Sequence, residues 1–124
     1  MSITVYDYYQ DADILEVFFT EDSATAVVNL TPDITLHFQP ENRTAVSLVF
    51  NNFSRLIQPD EYGARTFALQ AKGWPDSWRA AMQSILAAPP VNEWITVVTY
   101  RPPRAQNTIP LAAVKQPAVL ALAT

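Results

Sequence analysis

Apolar and polar residues alternate along residues 3–50 with the period of strands, and only once does the chain switch to the period of a helix. Ile34, Leu36 and Phe38 alternate with Thr35 and His37, which predicts a strand with one face inward. Val46, Leu48 and Phe50 mark one face of another strand over residues 45–50. Further strands are predicted over residues 3–6, 14–20 and 24–30. In residues 14–20, Ile14 and Phe18 share a face with Glu16, while Leu15, Val17 and Phe19 form the other. With one polar residue before Thr20, that pattern predicts a central strand covered on both sides for most of its length. Residues 3–50 therefore read as a continuous antiparallel meander.

The second half is patterned differently. Residues 55–57 fit either a turn of helix or a strand extension. Residues 58–63 hold a proline and a glycine among polar residues and mark a boundary. Residues 65–71 follow as a short strand with Phe67 and Leu69 inward. Trp78, Met82, Ile85 and Leu86 then fall at i, i+4, i+7 and i+8, an apolar stripe that predicts a helix over residues 76–88. Pro75 and Asp76 suit its first turn, and Pro89-Pro90 stop it. Residues 94–100, β-branched and aromatic almost throughout, predict a strand ended by Arg101-Pro102-Pro103-Arg104. Residues 105–124 form a proline-spaced apolar tail, which docks on its own domain or is exchanged with another protomer. The sum is one α+β domain: an antiparallel meander of five or six strands at residues 3–56, with one amphipathic helix packed on one face. A strand–helix–strand extension with the apolar tail follows at residues 64–124.

Turn chemistry is unusual, because the chain has only two glycines, Gly63 and Gly73. Its turns must use Asp22, Asp33, Asn42, Asn51 and Asn52, or proline, since Asp and Asn tolerate left-handed backbone and bond their own main chain. In the turn at residues 40–43, Asn42 is the residue suited to positive φ.

Composition adds three constraints. Charged residues make up 16% of the chain, below the usual quarter, so apolar surface is left for a partner and an oligomer is expected. Cysteine is absent, which excludes disulfides, thiolate metal sites and cysteine nucleophiles, and fits a reducing compartment such as the cytoplasm. No basic leader segment and no long apolar run is evident, so neither export nor a membrane partner is expected.

The net charge of −4 is unevenly spread. Residues 1–42 hold eight acids and no base, while residues 43–124 hold eight bases and four acids. Either the halves pack together or protomers meet head to tail. The arginines, Arg43, Arg55, Arg65, Arg101 and Arg104 among them, are too scattered for a nucleic-acid surface.

Candidate chemistry is sparse. Asp7, Asp11 and Asp13, with Glu16 nearby, form the one carboxylate cluster, and a weak calcium-like site there competes with plain turn-forming duty. His37, the only histidine, takes an outward strand position; Ser47 or Ser54 could accompany it, but no nucleophile-elbow pattern is present. Neither glycine has a second one near it, which argues against nucleotide binding. No catalytic residue and no cofactor is assigned. Trp74 and Trp78 read as core residues, and Tyr6, Tyr8 and Tyr9 as an aromatic contact surface.

The segments VYDYYQDADILEVFF, LTPDITLHF and AVSLVFNNFS carry a recognisable set of residues: Tyr6, Asp7, Ala12, Asp13, Leu15, Pro32, Asp33, Ile34, Leu36, Val46, Leu48, Asn52 and Ser54. In these the chain resembles the small bacterial family catalogued as domain of unknown function 2283, over residues 3–56, with residues 67–110 similar to extended members of the kind met in cyanobacteria. The family usually has glycine after the proline of the third turn and in the last hairpin, where this chain has Asp33 and residues 42–44. The resemblance implies a compact β-meander and no particular reaction. Three readings of function follow: a non-catalytic interaction or regulatory module working as a homodimer, a small-ligand or divalent-metal binder using Asp7, Asp11 and Asp13, and a small enzyme of a kind not yet catalogued.

Overall fold

A computed structural model of the chain describes residues 5–58, 66–70, 74–101, 103–104, 106 and 109–114. Ile3, most of the boundary at 58–63, both glycines and the tail beyond Val114 lie outside them.

The fold is α+β. Strands β1 (Val5–Tyr9), β2 (Ile14–Phe18), β3 (Ala26–Thr31), β4 (Ile34–Gln39) and β5 (Thr44–Asn51) form one antiparallel sheet in the order β1-β2-β5-β4-β3. The one-turn helix α1 (Phe53–Leu56) follows β5. Then come β6 (Phe67–Ala68), α2 (Asp76–Ala87), a 3-10 turn (Val91–Glu93), β7 (Ile95–Tyr100) and β8 (Ile109–Val114). These last three strands make a second antiparallel sheet, ordered β6-β8-β7, instead of extending the first.

The antiparallel array of residues 3–50 is present, with one change of neighbour. β3, β4 and β5 run up and down in sequence, but β2 lies beside β5 instead of β3. Residues 19–25 carry the chain across to the far edge. Alternation fixes which face a side chain takes, not which strand sits beside it. β5 is the longest strand, eight residues, and pairs along both edges.

The register sorts the first sheet into rows. On the inner face, Tyr6, Val17, Leu48, Leu36 and Val28 lie side by side, as do Tyr8, Leu15, Phe50 and Ile34. Leu15, Val17, Ile34, Leu36, Leu48 and Phe50 have no exposed surface. The expected inward positions of 34–38 are therefore those observed. Val46 differs: the β4–β5 register slips between His37 and Phe38, so that Ala45 opposes Phe38. This bulge turns Ala45, not Val46, into the core.

Helix α2 roofs the inner face. Met82 and Ile85 are buried, Leu86 nearly so, and the half-buried Trp78 packs edge-on against Phe38 with ring centroids 5.2 Å apart. Each large side chain so buried contributes about 1.5–3 kcal/mol. The helix ends one residue earlier than its pattern predicts, because Ala88 precedes Pro89 and is forced extended (φ −124°, ψ 158°). The second sheet adds Ile95, Ala112 and Val114 to the same core, with Val91 and Trp94 ahead of β7. The start of the apolar tail is thus the central strand of that sheet, docked on its own chain. Gln70 ties the two sheets by donating its N–H to the Leu30 carbonyl at 2.8 Å.

Candidate functional site

The acidic turn does not gather its carboxylates. Asp7 lies on β1 directly opposite Glu16, on the sheet face away from the core, and Asp11 is exposed at the turn. Asp13 turns the other way. It adopts left-handed backbone (φ 55°), one of the sites where this glycine-poor chain uses Asp or Asn. Its carboxylate accepts the Ser54 hydroxyl at 2.6 Å, the Ser54 N–H at 3.1 Å and the Tyr8 hydroxyl at 2.7 Å. The Asp13 carbonyl accepts the Phe53 N–H at 3.0 Å. Asp13 therefore caps α1 from 41 residues away, satisfying N–H groups that a helix start leaves unpaired. Among the described residues, no three His, Asp or Glu side chains converge as a metal site would require.

These contacts set the local charge. The Ser54 hydroxyl, then the Tyr8 hydroxyl and the Ser54 N–H, hold the Asp13 carboxyl below the ordinary aspartate range, against a smaller opposing effect of burial. The same carboxylate pushes the Tyr8 phenol up, mainly through the hydrogen bond that it accepts. Tyr9 is also raised, first by the Glu16 charge, then by burial and by Asp7.

The neighbouring turn is tied in as well. Asn52 (φ 54°) donates its amide to the Asp33 carboxylate at 3.0 Å, and the Asn51 N–H donates to the Asp33 carbonyl at 2.7 Å. In the turn before β5 the left-handed residue is Arg43 (φ 51°), not the expected Asn42. Asn42 instead donates its side-chain amide to Gln39 at 2.9 Å.

His37 sits in the outer row Val5, Phe18, Ser47, His37, Val27. Ser47 is its register partner, but no side-chain hydrogen bond joins them, and Ser54 is at the far end of the sheet engaged with Asp13. The next outer row is Asp7, Glu16, Val49, Thr35, Asn29, closed by a 2.9 Å hydrogen bond from Thr35 to Asn29. A third holds Tyr9, Ile14 and Asn51.

This outer face has no second layer among the described residues. Val5, Tyr9 and Val27 are each about half exposed. The face expected to cover β2 on its second side is therefore open, and Ile14 and Phe18 are only half-buried by their sheet neighbours. Of the tyrosine cluster, Tyr9 belongs to this face. Tyr6 and Tyr8 turn inward, toward Trp94 and Phe53, with ring centroids at 6.4 and 5.9 Å.

The pattern of the sequence gives no warning of a cleft of about 660 Å³ between α2 and the second sheet. Leu69, Trp74, Leu86, Ile95, Val97 and Pro110 supply its apolar walls, and Arg79, Gln83, Asn92 and Thr96 its polar groups. Arg79, Gln83 and Ala87 stand at i, i+4 and i+8 on α2, beside the core stripe.

No family model, no curated protein and no solved structure matches the chain.

Proposed function

We propose that the protein is a non-catalytic interaction module of the cytoplasm that works as a homodimer through the outer face of its five-stranded sheet. The observation that carries this reading is the open face itself: exposed Val5, Tyr9 and Val27 beside half-buried Phe18 and Ile14, with no second layer among the described residues. Exposed apolar residues grouped on one uncovered sheet face, interleaved with polar ones, suit a contact between chains. Its charge argues for the geometry. Asp7 and Glu16 lie side by side on its edge strand and the neighbouring strand, and none of the five strands carries Lys or Arg. Two such faces laid squarely together would oppose acid to acid. An offset of the two faces about a two-fold axis keeps their acidic pairs apart. The absence of cysteine fits a reducing compartment.

Size-exclusion chromatography with light scattering tests the proposal. A dimer is expected that dissociates in Phe18→Glu while the circular dichroism is retained. A strict monomer at high concentration, or a dimer indifferent to Phe18→Glu and to salt, overturns it.

A further inference from the structure

The cleft between α2 and the second sheet lies apart from the open sheet face, and its chemistry is of a different sign. Among the described residues its walls carry one cation, Arg79, and no carboxylate. The cleft on the outer sheet face is lined instead by Glu21, Asp22 and His37. Arg79 is half exposed and gives its Nε to Asp76, at 3.2 Å, and among the described residues its terminal guanidinium nitrogens have no partner. Gln83 and Thr96 stand exposed on the same walls, and Asn92 is held by a single 3.3 Å bond from its amide nitrogen to the Ala87 carbonyl. An apolar trough of about 660 Å³ with a few polar groups falls within the size of small-molecule sites.

From this we infer that the cleft binds an amphipathic monocarboxylate, its aliphatic or aromatic body against Trp74, Leu86, Ile95 and Val97 and its carboxylate on Arg79. A carboxylate matches the guanidinium fork, and a single negative charge matches one arginine already partly balanced by Asp76. Polyanions such as nucleotides would meet no second cation among the described residues of the walls.

Calorimetric titration of the full chain with octanoate, and with 1-octanol as its uncharged counterpart, tests the assignment. Octanoate is expected to bind at one site per chain, about fivefold more tightly than the alcohol, the modest gain of a half-exposed ion pair. Arg79→Gln should abolish that difference and leave alcohol binding unchanged. Ala87→Trp, at an exposed helix position on the cleft wall, should weaken both ligands by about tenfold or more by filling the site, with the melting temperature retained. No binding of octanoate at millimolar concentration, or binding that neither substitution alters, overturns the inference.

Discussion

The two regions of this molecule share one core but are held in different ways. Residues 5–56 supply nine of the twelve largest fully buried side chains, and α2 with the second sheet supplies only Met82, Ile95 and Val91. The first region also has a polar frame at one end of its sheet, where Asp13 binds Ser54 and Tyr8, and Asp33 binds Asn52. The second has little of the kind. Among the described residues its side-chain bonds are the exposed Arg79–Asp76 pair, one bond from Asn92 and one that Ser84 accepts from Arg43, and the buried Nε1 of Trp74 has no partner there. The first region is a framed sheet that needs a roof, and the second is a roof held by packing.

The sharpest way to break this comparison is at the seam. Ile85→Asp places a carboxylate among buried apolar side chains, and a loss of more than about 3 kcal/mol is expected. All three tryptophans, Trp74, Trp78 and Trp94, lie in the second region. Their fluorescence therefore reports the roof, while far-ultraviolet circular dichroism is dominated by the larger sheet. Both signals should fall together in urea. An unchanged melting temperature would refute the placement of α2 over the core.

The frame is weaker but has its own signature. Asp13→Asn keeps a residue that tolerates left-handed backbone and removes the charge, with a loss of about 1–2 kcal/mol at neutral pH. Because the folded carboxyl titrates below the ordinary range, ionised Asp13 stabilises the fold above about pH 4. That stability disappears as the pH falls through the lowered folded value. Acid denaturation of the wild type should therefore include a component that Asp13→Asn lacks. Superimposable pH profiles would remove Asp13 from the frame.

In the roof, polar atoms should matter little. Trp74→Phe deletes a buried N–H that has no acceptor, and stability within about 1 kcal/mol of the wild type is expected by urea titration. A larger loss would mean that the indole N–H has a partner. Smallest of all, Asp7→Thr relieves the facing Asp7–Glu16 pair and should raise stability by about 0.5 kcal/mol. That gain should shrink in high salt.

What the sequence made legible follows the same division. The inward positions Ile34, Leu36 and Phe38, the helix stripe Met82, Ile85 and Leu86, and the α+β class were readable, because period and burial are local consequences of side-chain pattern. The placement of β2 against β5 was not, since register partners are chosen across the chain. Nor was the bulge that puts Ala45 in place of the still buried Val46 in the inner cluster. Asp13 was legible as a turn residue, yet its main duty, capping α1 through Ser54, joins segments 41 residues apart. The cleft is the least legible feature, because its walls come from β7, the flank of α2, Leu69 and Pro110. No single periodicity brings them together.

Native-state hydrogen exchange tests most directly whether frame and roof form one unit. If the inner face of the first sheet is stable only beneath its roof, amides of β5 and β8 will exchange through the same opening, with equal free energy and equal urea dependence. Exchange of the β8 amides through a much smaller opening, with β5 still protected, would contradict the account.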